Sequence, residues 1–274
     1  MSISRSASGR LGIGLLSVIA TAALVLPPFL ADPMAQPDLL GAASLPPSAA
    51  HLFGTDGLSR DVLARTVTGA RWSLGLAAPA MLLATTVGTL VGLAAGVAGG
   101  TVDLVLMRLV DALLAIPRLF VLLLLLAATD QLPPWGIALV LGLTGWFALA
   151  RLVRAEAARL RQEEFMAAAR ALGASRIRLA LRHVLPNAAG PIAVAATIGL
   201  GDAMLLEAGL SFLGLGIQPP TPTWGAMLHE GRDILTSAPW VSLFPGLGLV
   251  LTVLGAHLAS DALRAMLDPR ERSA

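Results

Sequence analysis

Residues 73–100 read SLGLAAPAMLLATTVGTLVGLAAGVAGG, without a single charged side chain. About 20 apolar residues suffice to cross a bilayer, so this stretch marks an integral membrane protein. Gly88, Gly92, Gly96 and Gly100 recur in it every four residues. On a helix that spacing makes one smooth face, where a neighbouring backbone approaches closely.

The rest of the chain agrees. Of 274 residues, 56% are hydrophobic and only 13% charged, and the mean hydropathy is +0.78. A soluble domain carries about a quarter charged residues. Five more apolar runs follow the same reading: 11–30, one reached through an amphipathic 101–118 segment and ending near Ala128, 135–150, 188–215 and 240–263. The expectation is an all-α polytopic membrane protein with about six transmembrane helices. The first run has the look of a signal peptide, with residues 31–35 as its cleavage region. It is long for an h-region of about 7–15 residues, which favours a retained anchor. The division expected is 1–30 as tail and first span, 31–72 as an external loop, 73–263 as a core of five helices, and 264–274 as a tail.

Arginine placement orients the chain, because cytoplasmic loops collect basic residues. With the N-terminus inside, the cytoplasmic side holds Arg5, Arg10, Arg108, Arg118, Arg264, Arg270, Arg272 and the eight arginines between Arg151 and Arg182. The outside keeps Arg60, Arg65, Arg71 and Arg232. Both termini and the 151–187 loop are therefore expected in the cytoplasm, with multi-pass insertion in the cell's inner membrane.

Several chemistries are excluded outright. There is no cysteine, hence no disulfide and no thiolate metal site. All nineteen basic residues are arginine, and a P-loop requires lysine to reach the terminal phosphates. If this protein uses ATP, another chain binds it. The pI near 10.7 reflects arginines beside membrane ends and points to no nucleic acid. Four scattered histidines offer no metal-ligand spacing, and no catalytic set is present. His257 and Asp261, four apart, are expected to form a local pair.

The 151–187 loop is unusual for an interhelical connection. Glu164-Phe-Met-Ala-Ala-Ala-Arg-Ala-Leu-Gly173-Ala174-Ser175 has helical composition, with Phe165, Ala169 and Leu172 spaced to share a face, Ala168 beside them and Arg170 pointing elsewhere. Gly173 sits where a left-handed residue closes a helix. Ser175 is placed to cap a second short helix through Ile177, Leu179 and Leu181, and Pro186 fits the first turn of the next span. The expected product is a helix–turn–helix elbow on the membrane surface. Two readings of it stand: a plug whose alanines enter a groove on a partner, or an amphipathic helix resting on lipid.

The elbow resembles the EAA motif of ABC-importer permeases, with Ala167-Ala168-Ala169, Gly173 and His183-Val184-Leu185-Pro186 in the motif positions. Alanine replaces the motif's Glu and His183 its Ile, so a charge contact made by some relatives is missing. Residues 51–65, with Gly54-Thr55-Asp56 and Ser59-Arg60-Asp61, and residues 207–225, from Glu207 through Gln218-Pro219-Pro220 to Trp224-Gly225, are similar to the dipeptide/oligopeptide/nickel branch. Residues 261–270 fit as well. The Gly-Thr-Asp segment matches the second, C-type permease.

This resemblance implies the type I importer architecture. Such an importer has two different permeases, two cytoplasmic ATPases that hold ATP and Mg, and an external binding protein. It further implies that the elbow is the ATPase-coupling helix, involving Glu164, Ala167, Ala168, Ala169, Gly173, Ala174, Leu185 and Pro186. On the arginine-based topology Gln218, Pro219, Pro220 and Trp224 lie outside in a proline-stiffened loop, for which two readings stand: a contact for binding protein or substrate, or a plain surface connection. Two rival readings compete. A proton-coupled carrier would use the intramembrane carboxylates Asp202 and Glu207, which are functional candidates by position. A membrane scaffold would bind partners and transport nothing.

Overall fold

The computed structural model describes residues 2–39, 41–129 and 132–267, and among them the helices account for every named element. They are α1 (Ser2–Val25), α2 (Val62–Ala98), α3 (Gly100–Leu114), α4 (Arg118–Ala127), α5 (Pro134–Leu143), α6 (Phe147–Leu160), α7 (Glu164–Ala171), α8 (Arg176–Leu179), α9 (Leu185–Phe212), α10 (Trp224–Gly231) and α11 (Trp240–Leu267). The stretches Ala7–Val25, Val62–Ala98, Arg176–Phe212 and Trp240–Met266 are each long and apolar enough to cross a bilayer. The pairs α3+α4 and α5+α6 are bent by 76° and 41° and bring the total to six if each is one broken span. The all-α expectation is borne out. The 130–134 turn falls partly outside the described residues, as do Arg270 and Arg272.

Glycine spacing decides the tightest helix contact. A Cβ added at Gly88 would meet the Trp146 carbonyl at 2.8 Å, and one at Gly92 the Ala150 carbonyl at 2.6 Å. Gly96 faces Ala157 in the same way. The α2 glycines thus seat the α6 backbone, with Leu149, Val153 and Ala157 buried against Leu93. Gly100 does not extend this face. With Gly99 at φ +64° and Gly100 at φ +57°, the two glycines make the sharp turn into α3, a conformation other residues resist. A similar close approach joins α1 to α11, where a Cβ on Gly12 would meet the Gly255 carbonyl at 2.8 Å.

The helix α2 begins at Val62, not near Ser73, so the polar segment expected over 31–72 is shorter than its composition suggested. Asp61 stops the helix by accepting a hydrogen bond from the Ala64 N–H at 2.9 Å. Val62 is then buried with Met227, Ala238 and Val241. At about 1.5 Å per residue the helix is about 55 Å long, well beyond a hydrocarbon core of about 30 Å. Its first turns therefore carry polar residues.

The two broken spans meet at their breaks. Ile116 precedes Pro117, and a residue before proline is driven out of helical geometry, so α3 ends and α4 restarts at Arg118. Arg118 donates from Nη2 to the Leu141 carbonyl at 2.7 Å and from Nε to Thr144 Oγ1 at 3.3 Å, both at the end of α5 where its break from α6 begins. Arg118, counted among the cytoplasmic arginines at the end of the amphipathic 101–118 segment, thus ties the start of α4 to the end of α5. Near the other end of these spans, Arg154 pairs with Asp103 through two hydrogen bonds of 2.8 and 2.5 Å, tying α6 to α3.

Candidate functional site

The elbow forms, and its caps are those the residue types dictate. At the end of α7 the Gly173 N–H bonds the Arg170 carbonyl at 2.9 Å and the Ala174 N–H bonds the Ala169 carbonyl at 3.0 Å. With Gly173 at φ +80°, this is the Schellman closure, which satisfies carbonyls the helix leaves open. The Ser175 side chain accepts from the Arg178 N–H at 3.3 Å and starts α8. Arg170 turns back and donates to the Arg161 carbonyl at 2.9 Å, fastening α7 to the end of α6.

The second short helix does not stop before the span. Residues 180–184 form a π-helical turn that runs straight into α9. Pro186 lacks the N–H that would bond the Arg182 carbonyl, so the ladder widens there. Leu185 reaches the Ala180 carbonyl instead, and Asn187 Nδ2 donates to the His183 carbonyl at 2.6 Å. The elbow's second helix and the span are one continuous rod, Arg176–Phe212.

Which face points where differs from the spacing argument. Met166 is 1% exposed and Ala169 is half-buried, both packed with Leu160, Leu179 and Val184. Ala169 therefore does not share the outer face with Phe165 and Leu172. That face is Phe165, Ala168 and Leu172, at spacings of three and four, and Leu172 is 89% exposed. Ile177 and Leu181 continue it at 73% and 55%. Glu164, Ala167 and Gly173 lie at the surface beside it, Ala174 and Leu185 are half-buried, and Pro186 is exposed. His183, standing where the motif has Ile, has its ring centroid 6.1 Å from that of Phe165. Met166 was readable as Ala169's partner at i, i+3, but nothing in the spacing chose it over Phe165.

At the opposite end of the bundle, residues 41–61 fold back over α10 and the start of α11. Thr55 pairs with Asp61 in a bridge, Trp240 Nε1 donates to the Thr55 carbonyl at 2.9 Å, and Phe53 stacks on Phe244 at 3.8 Å. Beneath lies a network of charges. Arg60 Nε pairs with Asp56 Oδ2 at 2.7 Å and Arg60 Nη2 with Glu230 Oε2 at 2.5 Å. Arg65, 1% exposed, meets the same Glu230 oxygen at 2.9 Å. Glu230 went unmarked in the sequence because its partners are 165 and 170 residues away.

Of the external residues singled out, Gln218, Pro219 and Pro220 are exposed. Trp224 is not: it is 2% exposed in the core and donates from Nε1 to the Thr66 carbonyl at 2.9 Å. It is an anchor for α10, where its neighbour Thr223 caps the helix. Glu207 is equally enclosed, accepting from Ser73 Oγ at 3.1 Å and Ser211 Oγ at 2.8 Å. Ser73 Oγ also accepts from the Trp224 N–H at 3.2 Å. Glu207 thus ties α2, α9 and α10 together and lacks the open side a proton relay needs. Asp261 pairs with Arg264 at 3.8 Å in place of His257.

The helical bundle thus carries a capped, outward-facing apolar elbow and, apart from it, a closed cap over α10. Residues 88–273 match the binding-protein-dependent transport system inner membrane component family. The chain belongs to that family. The permease is similar to a putative peptide permease protein of Brucella suis, 41% identical over 94% of this chain and 86% of that one. It is 42% identical to the dipeptide transport system permease protein DppC of Alkalihalophilus pseudofirmus, over 83% of this chain and 74% of that one. With the oligopeptide transport system permease protein OppC of Bacillus subtilis the identity is 37%, over 95% and 85%. The importer-permease resemblance carried by the motifs is borne out, and nothing in these likenesses favours a self-sufficient carrier.

Proposed function

We propose that this permease is the C-type membrane subunit of an ATP-driven importer that carries peptides, or a related small solute, inward. It shares the translocation path with a second, different permease. Two ATPase subunits bind ATP and Mg on the cytoplasmic side, and an external binding protein delivers the solute. Both termini and the 151–187 loop face the cytoplasm, as the arginine distribution favours. The observation that carries the reading is the outward apolar face of the elbow, Phe165, Ala168 and Leu172, held by the caps that join α7 to α8, which itself runs into α9.

That face is the ATPase-docking surface, with Glu164, Ala167 and Gly173 at its edge. Ala169, Ala174 and Leu185 support it from behind, and exposed Pro186 sits in the first turn of the span that follows. ATP binding closes the ATPase dimer and displaces the seated elbow. Because α8 runs into α9 without a hinge loop, the displacement is passed to the spans as rigid-body motion between two states. Exposed Gln218, Pro219 and Pro220 supply a stiff external edge for the binding protein.

Ala168→Asp places a charge on the docking face without touching the core. The variant is expected to insert and fold normally, to lose most co-purification with the ATPases, and to lose ATP-driven uptake in proteoliposomes. Normal assembly and transport by Ala168→Asp would refute the coupling assignment.

A further inference from the structure

A cavity of about 500 Å³ opens where the two helix breaks face α9. That volume is in the range of small-molecule sites. Its walls are largely apolar, with Met81, Leu113, Ile116, Phe147 and Ile198 among them, and only two lining side chains are charged: Arg118 and Asp202. Arg118 is fixed by its bonds to the Leu141 carbonyl and Thr144. Those bonds use two of the five donors a guanidinium carries. Asp202 forms no side-chain hydrogen bond or ion pair among the described residues. The two opposite charges face one space without closing on each other.

A carboxylate in an apolar span is costly unless something partners it. The same helix shows how the fold meets that cost when the role is structural. Glu207, five positions on, is buried and held by Ser73 and Ser211. Asp202 has no such escort and stays exposed to the cavity.

We propose that Arg118 and Asp202 are the two polar ends of a transit site for a zwitterionic solute, Arg118 receiving its carboxylate and Asp202 its ammonium group. The proposal rests on the transport reading above and names the chemistry that the path selects. Apolar walls between the charges accommodate varied side chains, while the fixed ends hold the backbone termini common to short peptides.

Asp202→Asn preserves size and removes the charge. With the complete transporter in proteoliposomes and loaded binding protein at saturation, uptake of a dipeptide with a free amino terminus is expected to fall about tenfold or more, as losing a charged hydrogen bond implies. The KM for loaded binding protein is expected to stay unchanged. In detergent, without the binding protein, the wild-type permease–ATPase assembly is expected to bind the free dipeptide about tenfold better than its N-acetylated form. The Asn variant should bind both alike, and Asp202→Glu should restore the preference. Equal binding of the two peptides by the wild type, or a loss by the Asn variant that is the same for both, overturns the proposal. A wild type with no binding-protein-dependent, ATP-driven uptake sinks the transport reading and this one with it. Unaltered uptake and discrimination in Asp202→Asn sinks this one alone.

Discussion

The two ends of the bundle solve opposite problems with connecting segments of similar length. At the cap over α10, charged residues are turned inward and paired: Asp56 with Arg60, and Glu230 with both Arg60 and Arg65. At the elbow, apolar residues are turned outward and left uncovered, while the backbone is closed by Gly173, Ser175 and Arg170. A cap that buries ions is committed to one arrangement, since every separated pair exposes an uncompensated charge. An elbow whose backbone is satisfied but whose side chains are not is stable alone and still has surface to give to a partner. The comparison teaches that order without burial marks the part built for something else to touch.

The largest expected effect is at the cap. Glu230→Ala leaves Arg60 and buried Arg65 with Asp56 alone, and a broken buried pair costs about 3–5 kcal/mol. Thermal unfolding in detergent should show a clear drop. An unchanged midpoint would mean the network contributes nothing and would erase the contrast. Next is Gly173, where an added Cβ meets nothing within 4 Å, so only the positive φ is at stake. Gly173→Val should cost about 1–2 kcal/mol and Gly173→Asn much less, since Asn enters this region readily. ATP-driven uptake should follow the same order. The smallest stability effect belongs to the exposed face. Leu172→Ser should move stability by no more than about 0.5 kcal/mol while weakening ATPase association severalfold. A large loss of stability there would show that the face is packed, not offered.

Legibility in the sequence followed the range of the forces involved. The elbow's stops and starts were readable because caps are local: Gly173 and Ser175 act within five residues of themselves. The glycine face of α2 was readable from its period, although the partner it seats, α6, was not. Trp224 was misplaced because a proline-rich, apparently external stretch looks exposed from composition. Its burial depends on Thr66 and Ser73, far upstream. Arg118 was counted only as one of the arginines favouring the cytoplasmic side, at the end of the amphipathic 101–118 segment. Only the folded chain shows that it sits at a break between α3 and α4, facing Leu141 and Thr144.

The sequence by itself determined the membrane class, the apolar runs, the bias of arginine to one side, the absence of a lysine for nucleotide phosphates, and the capped elbow. Each of these depends on composition or on contacts a few residues apart. The tertiary structure decided which side of α7 turns inward, that Glu207 is satisfied while Asp202 is not, and that Glu230 joins Arg60 and Arg65 in one network. Helical period gives the spacing of side chains on a face, but the face that is buried is chosen by the neighbour it meets, which lies anywhere from a few residues away, as Leu160 from Met166, to more than a hundred, as Arg65 from Glu230.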